Sequence, residues 1–304
     1  RVLTVISDRV TAGVNFSDAV EEFPKVFPPL MISLIRASEA SGTMGSMLGR
    51  IADYLNKERK TIRQIKGALT YPMIMVSLAL VVTSFLVVWV LPRFAKIYES
   101  RSAALPAPTQ VILSVSNFIT EHWVAIVAGM VGLTVTAVFV RMTAFGRRVI
   151  DTFKVRAPVI GPMFTHFYLT RATRTLGTLI ASGVTLLDAV RIVRGVTANV
   201  LWTRLWEDME SSMTQGKTVA SVILESELIP PTTGQMIAAG ERGGRLPEVL
   251  ERVASATEED LDVAIKNGTQ LIEPAMILFM GLTVGGIAIA LLLPIFSVAN
   301  VMSG

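Results

Sequence analysis

Three long uncharged stretches constrain this chain more than any other feature of its sequence: residues 73–91, 124–140 and 275–296. A helix needs about 20 apolar residues to cross the ~30 Å hydrocarbon core of a bilayer. The alternative for each stretch is a buried helix of a soluble protein. However, 51% of the 304 residues are hydrophobic and only 17% are charged, which leaves too little polar surface for a soluble chain. The stretches therefore predict three transmembrane helices.

The distribution of lysine and arginine predicts the orientation of these helices. Cytoplasmic flanks of membrane spans carry an excess of basic residues. Five basic residues closely precede the first span and five closely follow the second, whereas only three lie between the two. We therefore expect residues 1–70 and 141–272 in the cytoplasm, with 92–123 and the tail 297–304 outside. Because topology accounts for the net charge of +4, we predict no nucleic-acid partner.

The chain also contains an internal duplication with an offset of 202 residues, so that Glu39 falls on Glu241 and Gly42 falls on Gly244. No gap is needed from residue 28 to residue 94. The pairing continues into the first and third spans, where Pro72 meets Pro274 and Pro92 meets Pro294. The segment 166–193 of the second copy has no counterpart in the first, so we expect the first cytoplasmic domain to be N-terminally truncated. The span at 124–140 lies outside the repeat and returns the chain to the cytoplasm.

Apolar residues in both cytoplasmic segments recur at the 3-and-4 spacing of an amphipathic helix, and no alternating strand pattern is present. These features predict an all-α membrane protein with two homologous cytoplasmic antiparallel helical-bundle domains and three transmembrane helices. We expect the last helix of each bundle to run into a span across Pro72 or Pro274. The predicted boundaries are a partial cytoplasmic domain at 1–70, a span at 71–91, a periplasmic loop with a short amphipathic helix at 92–123, a span at 124–140, a cytoplasmic domain at 141–272, a span at 273–296 and a periplasmic tail at 297–304.

Two related motifs, "ASEASGTMG" (37–45) and "AAGERGGRL" (238–246), resemble chemical sites at first inspection. The second contains arginines that suit a phosphate, but the first contains none, so phosphate binding is not a shared property. Both copies keep an acid, Glu39 or Glu241, and a glycine three residues later, Gly42 or Gly244. The glycines suit a turn of unusual dihedral angles. Each glutamate either bonds the backbone amides of that turn or faces a partner protein, and we favour the first interpretation.

No catalytic, cofactor-binding or metal-binding site is predicted. The segment 211–218 ends like a nucleotide-binding loop but has serine where that motif requires its first glycine. The chain has no cysteine, and its two histidines, His122 and His166, fall on opposite sides of the predicted membrane. Metal sites normally need several convergent ligands. The serine-rich segments lack a nearby histidine base.

Two features of the third span have alternative interpretations. Glu273, beside Pro274, is either a functional carboxylate at membrane depth or a side chain at headgroup level, and we favour headgroup level because the first copy has Tyr71 there. Gly281 and Gly285 form a GxxxG pattern. This pattern serves close helix packing in membranes or reflects simple tolerance of glycine, and both interpretations remain open.

The paired motifs, extended to residues 37–54 and 238–255, resemble the signature of the type II secretion F family. The order of domains and spans also matches that family, as do the span entries "YPMIM" and "EPAMI" and the exits "LPRF" and "LPIF". The resemblance implies a non-enzymatic platform protein of the bacterial inner membrane, in a type II secretion or type IV pilus system. Its implied partners are a cytosolic hexameric assembly ATPase, pilin or pseudopilin subunits, other inner-membrane assembly proteins, the lipid bilayer and further copies of itself.

An oligomeric transporter or channel is the alternative function. Duplicated spans are common in transporters, but these spans lack the mid-bilayer ionisable residues that transporters carry. Arg191, Arg194 and Arg204 are basic residues that suit an acidic partner surface. A solvated helix face is the simpler explanation of these arginines, and we favour it.

Overall fold

The computed structural model describes residues 1–90, 92–93 and 107–302; for 107–109, 112–113, 116, 290–291 and 293–302 it describes the backbone alone. Part of the predicted periplasmic loop and the last two residues of the predicted tail therefore lie outside the described residues. All regular structure in the described segments is helical. The helices are α1 Val2–Thr11, α2 Phe16–Glu21, α3 Pro29–Ser41, α4 Met44–Phe85, a π-helical turn Leu86–Val90, α5 Ala107–Glu121, α6 Trp123–Met142, α7 Ala144–Arg156, α8 Gly161–Ala181, α9 Leu186–Val196, α10 Val200–Thr214, α11 Val219–Glu225, α12 Pro231–Arg242 and α13 Leu246–Met302.

The chain forms two compact units, each built from two separate segments. The first unit contains residues 1–65 and 144–265, and the second contains residues 66–143 and 266–304. The first unit therefore combines both predicted cytoplasmic domains. The second unit contains the apolar spans.

The duplication is visible in the helices of the first unit. Helices α1–α4 correspond to α10–α13, and α4 begins at Met44 as α13 begins at Leu246. A proline occupies the first turn of both α3 and α12, where its missing N–H costs no hydrogen bond. After each of these two helices the chain turns in the same way. Gly42 has φ +70° and Gly244 has φ +65°, as the predicted glycine turn requires.

The hydrogen bonds of these turns are also repeated. The Thr43 N–H donates to the Ser38 carbonyl at 3.0 Å, and the Arg245 N–H donates to the Gly240 carbonyl at 2.9 Å. A bond of this span, closing a helix through a left-handed glycine, is the Schellman motif. Because the left-handed region strains any residue that carries a Cβ, glycine is required for local backbone reasons alone.

The two copies share one hydrophobic core in the first unit. It joins residues of copy one, such as Val20 and Leu34, to residues of copy two, such as Leu169 and Leu250. Helix α8 packs closely on α13, because a Cβ placed on Gly177 would lie 3.3 Å from the Leu250 Cβ. The two homologous bundles are therefore packed together as a single compact body.

Helix α10 supplies the largest buried side chains of this core, Trp202 and Trp206, at 0% and 1% exposure. Their ring centroids are 6.1 Å apart, and Tyr168 on α8 lies 6.1 Å from Trp202. Asn199 caps α10 by accepting a hydrogen bond from the Leu201 N–H at 2.9 Å. Thr185 caps α9 by accepting a hydrogen bond from the Asp188 N–H at 3.2 Å.

Among the described residues, three helices are long and apolar enough to cross a membrane: Met44–Val90, Trp123–Met142 and Leu246–Ile289. These helices match the three predicted spans. Helix α6 has no buried residue, as expected of a surface that contacts lipid. Helices α4 and α13 continue through Pro72 and Pro274 without interruption, so the first and third predicted spans belong to helices that begin in the first unit.

Candidate functional site

The chemical feature shared by the two copies is a carboxylate that caps a helix from a neighbouring helix. Glu39 on α3 accepts hydrogen bonds from the Phe16 N–H at 2.6 Å and from the Ser17 N–H at 3.1 Å. The Ser17 hydroxyl also donates to the same carboxylate at 2.5 Å. These donors belong to the first turn of α2, whose own N-cap residue, Asn15, makes no side-chain capping bond.

Glu241 on α12 has the same role in the second copy. It accepts hydrogen bonds from the Val219 and Ala220 N–H groups, both at 2.8 Å. These amides begin α11, and its N-cap residue Thr218 makes no side-chain capping bond either. The first amides of a helix have no partner within the helix and attract negative charge. A carboxylate from another helix therefore satisfies both needs and joins the two helices.

This geometry corrects the interpretation favoured from the sequence. The Glu39 and Glu241 carboxylates bond neither Gly42 nor Gly244, and the amides they accept from lie 22 to 23 residues earlier in the first copy and 21 to 22 earlier in the second. The glycine turns are closed by their own backbone bonds. Sequence proximity suggested a local bond, whereas the bond is a tertiary one that residue spacing does not reveal.

The environment of Glu39 favours its charged form. The Ser17 hydroxyl bond contributes most, and it outweighs partial desolvation; together with the backbone bonds from Ser17 and Phe16 and the charge of Arg36, it lowers the pKa of the Glu39 carboxyl. The carboxylate is therefore ionised wherever the protein is near neutral pH. The bond it makes to α2 is charge-assisted and correspondingly strong.

A groove of about 400 Å³ separates the helices that join the two copies. Helix α4 of the first copy contributes Arg50 and Lys57, α8 contributes Arg174, and α13 contributes Glu251. Lys57 pairs with Glu251 across the groove at 2.7 Å. The Arg50 guanidinium donates to the Ala181 carbonyl at the end of α8, at 3.2 Å. Acidic and basic side chains both line the groove, so its charge favours neither an anionic nor a cationic ligand.

Beside the groove lies an ionic layer, which we define as Glu58, Arg171, Arg174 and Glu258. Arg171 on α8 pairs with Glu58 on α4 at 2.7 Å, and Arg174 on α8 pairs with Glu258 on α13 at 2.6 Å. The side chains of Arg174 and Glu258 are only 6% and 18% exposed. Helix α8 thus holds α4 on one side and α13 on the other.

Neutral hydrogen bonds accompany the ionic layer. The Tyr54 and Thr175 hydroxyls lie 3.1 Å apart, and the Thr170 hydroxyl donates to Thr257 at 3.0 Å. Burial raises the pKa of the Tyr54 phenol above its ordinary value. The sequence offered one signal for this layer, since Arg171 and Arg174 are three residues apart and share a helix face. Their partners on α4 and α13 were not predictable from spacing.

The remaining candidate residues do not converge on a site. Pro72 is buried and Pro274 is exposed, although they are equivalent in the repeat. Glu273 is exposed. A Cβ on Gly281 or Gly285 would meet no other atom within 4 Å, so within the described chain no second helix packs closely against the GxxxG pattern.

The predicted basic face is paired within its own bundle. Arg191 lies 2.7 Å from Glu210 and 3.4 Å from Asp188, and Arg194 lies 3.3 Å from Glu210. Arg204 lines a separate surface depression on α10. Among the described residues, no group of three or more histidines and carboxylates is arranged to hold a metal ion.

Comparison with known proteins interprets this duplicated arrangement. The family described as "Type II secretion system (T2SS), protein F" matches residues 1–92 and 172–294, which are the two copies of the repeat. The chain belongs to this family. The resemblance inferred from the paired motifs is thereby confirmed, and so is the fold class of repeated helical domains with three apolar spans.

Proteins similar to this chain have names from type IV pilus assembly and from type II secretion. The chain is 35% identical to the type IV pilus assembly protein PilC of Myxococcus xanthus, over 99% of this chain and 72% of that protein. It is 32% identical to the PilC protein of Pseudomonas aeruginosa, over 99% of this chain and 81% of the relative. It is 34% identical to the type II secretion system protein F of Xanthomonas campestris pv. campestris, over 99% of this chain and 74% of the relative.

Proposed function

We propose that this chain is the inner-membrane platform of a type IV pilus or type II secretion assembly machine. The observation that carries this proposal is the match of both copies to the T2SS protein F family, with similarity to named assembly proteins over 99% of the chain. In this role the protein is not an enzyme. It transmits work from a cytosolic hexameric ATPase to pilin or pseudopilin subunits that leave the bilayer, together with other inner-membrane proteins and further copies of itself.

The helices supply a physical route for such transmission. Helices α4 and α13 begin in the first unit and continue as single helices into the apolar spans. A force applied to their beginnings is carried along a continuous helical backbone, which its hydrogen bonds brace except for the bonds that prolines such as Pro72 and Pro274 cannot donate. The ionic layer resists sliding of either helix along α8, because sliding would separate the partly exposed Arg171–Glu58 pair or the largely buried Arg174–Glu258 pair.

The proposed orientation follows the basic flanks of the spans. Residues 1–70 and 141–272 face the cytoplasm and therefore the ATPase, whereas 92–123 and 297–304 face the periplasm. Within the cytoplasmic part, Glu39 and Glu241 are structural anchors whose oxygens are occupied by backbone amides. A partner is therefore expected to contact other exposed side chains.

Gene deletion in the host organism tests this proposal. We expect loss of surface filaments or of type II secretion, with restoration by the wild-type gene, while the assembly ATPase keeps its hydrolytic activity. Membrane levels of the ATPase and of the prepilin serve as controls for indirect loss. Normal filament assembly and normal secretion in the deletion strain would contradict the proposal. Solute flux through the purified protein in liposomes would instead favour a transporter.

A further inference from the structure

Helix α7, Ala144–Arg156, exposes an apolar stripe that its own unit does not cover. Phe145 is 78% exposed, Val149 is 51% exposed and Phe153 is 65% exposed. Their spacing of four residues places all three on one face of the helix. Large aromatic side chains in a contiguous exposed row are unusual on a water-facing surface. Such a row indicates a contact with a membrane or with another protein.

The opposite face of α7 is fixed to the core. Asp151 is buried, and its carboxylate accepts a hydrogen bond from the Val200 N–H at 3.1 Å. Its backbone carbonyl accepts a bond from the Asn199 side-chain amide at 3.2 Å. Because these bonds anchor α7 to the start of α10, the helix cannot rotate to bury the stripe without breaking them. The outward direction of the stripe is therefore built into the fold.

Chain connectivity places the stripe beside a membrane. Helix α6, one of the three helices apolar enough to span a bilayer, ends at Met142, and only Thr143 separates it from α7. Three peptide links span at most about 11 Å. Whatever the arrangement of the two units, Phe145 therefore lies close to the end of the span and near the headgroup region.

The charge of this segment identifies the surface that fits it. Residues 141–156 contain five basic side chains and one carboxylate, the buried Asp151. Arg141, Arg147 and Arg148 form no ion pair among the described residues. Anionic headgroups complement this charge. A second copy of the same helix does not, because a two-fold contact would bring like charges together.

We infer that α7 is an interfacial helix that lies on an anionic bilayer surface, with Phe145, Val149 and Phe153 at the boundary between headgroups and acyl chains. Its arginines contact lipid phosphates. The inference requires that α6 crosses the membrane, but it depends neither on the proposed function nor on which side of the membrane α7 occupies. It adds a lipid-binding surface that holds the first unit against the bilayer.

Spin labelling of this chain tests the inference. The chain has no cysteine, so Val149→Cys provides a single nitroxide site in nanodiscs that contain phosphatidylglycerol. We expect the ratio of oxygen to water-soluble nickel collision rates at this site to exceed that of a Glu207→Cys control by about threefold or more, because oxygen partitions into lipid. Glu207 is an exposed residue of α10 in the same unit.

Two further variants distinguish lipid from other contacts. Phe145→Ser with Phe153→Ser is expected to return the label at position 149 to water. Arg147→Gln with Arg148→Gln is expected to reduce the difference between phosphatidylglycerol and purely zwitterionic nanodiscs. Nickel accessibility at position 149 equal to the Glu207→Cys control would overturn the inference. Spin–spin broadening that disappears on dilution with unlabelled protein would also overturn it, because a second copy would then cover the stripe.

Discussion

At the scale of single residues, the duplicated motif contains glycines and glutamates that have different structural roles. Gly42 and Gly244 satisfy a backbone requirement, because both have positive φ. Glu39 and Glu241 instead satisfy the amides of a different helix. Both residue types are kept in both copies although one acts locally and the other acts across the bundle. Their shared spacing therefore does not indicate a shared role.

Glu39→Gln is expected to lower the free energy of unfolding by roughly 1–3 kcal/mol near neutral pH, because a neutral amide replaces a charge-assisted acceptor. The folded protein lowers the pKa of Glu39 below its ordinary value. Its charge therefore stabilises the fold above the ordinary carboxylate range, and this contribution is lost as the pH falls through the folded pKa. Thermal unfolding in detergent between neutral and acidic pH measures both effects.

The matched control is Glu259→Gln, since Glu259 is an exposed carboxylate of α13. We expect its unfolding temperature to stay near that of the wild type. We also expect the difference between the wild type and Glu39→Gln to shrink toward acidic pH. A difference that is constant across the pH range would show that the charge of Glu39 contributes nothing to stability.

At the scale of elements, the same helix pair is packed differently in the two copies. A Cβ on Gly240 of α12 would lie 2.8 Å from the Val249 side chain of α13. The equivalent of Gly240 in the first copy is Ser38, which is fully buried and donates its hydroxyl to the Ile35 carbonyl at 2.7 Å. Met47 occupies the position equivalent to Val249. The unbranched methionine adapts to a Cβ that the β-branched valine does not accommodate.

Gly240→Ser is therefore expected to destabilise the protein by about 1–3 kcal/mol through overpacking. Combining it with Val249→Met is expected to recover most of this loss, because the pair then copies the first bundle. Unfolding temperatures of both single variants and the double variant form a thermodynamic cycle. Strictly additive effects would contradict the proposed compensation between positions 240 and 249.

The ionic layer makes a second prediction at this scale. Arg174→Leu alone is expected to cost roughly 3–5 kcal/mol, because it leaves the Glu258 carboxylate without its partner. Arg174→Leu with Glu258→Leu is expected to cost much less. The Arg174 Nε and one Glu258 oxygen have no hydrogen-bond partner, so the native pair is itself incompletely satisfied.

Thermal unfolding of the two single variants and the double variant measures the coupling of this pair. Lys57→Leu is the control, because its ion pair with Glu251 is exposed and such pairs contribute about 0–1 kcal/mol. A double variant as unstable as the sum of the singles would show that the ion pair does not couple α8 to α13.

At the scale of the whole molecule, separation along the chain does not correspond to separation in space. The two segments predicted to be cytoplasmic are divided by two spans in the sequence, yet they form one unit with one hydrophobic core. Because each copy buries apolar surface against the other, the first unit is expected to be more stable than either copy alone. Each copy of the repeat therefore packs against the other copy in the same chain.

Membrane topology gives the prediction that belongs to this scale. Asn117→Cys in the predicted periplasmic loop should react with an impermeant maleimide in intact spheroplasts. Ser211→Cys in the second predicted cytoplasmic domain should react only after permeabilisation. The cysteine-free wild type shows the background of the labelling. Labelling of Ser211→Cys in intact spheroplasts would contradict the orientation inferred from the basic flanks.

The sequence by itself determined the local and repetitive properties of this protein. Uncharged length predicted the three apolar helices, the 202-residue offset predicted the duplication, and Gly42 and Gly244 predicted the turns before the long helices. Each of these depends on a few neighbouring residues or on a comparison of the chain with itself. Hydrophobic length and backbone dihedral preference act at short range, so the residues concerned carry the whole signal.

Only the tertiary structure decided which partners distant residues have. It placed Glu39 at the start of α2, joined Arg174 to Glu258, and turned Phe145 and Phe153 away from the core. These outcomes depend on how helices pack, and packing is set by the shapes of many side chains at once. A carboxylate has the same local sequence signal whether it caps a nearby turn or a helix 23 residues away. Its partner is therefore a property of the folded chain.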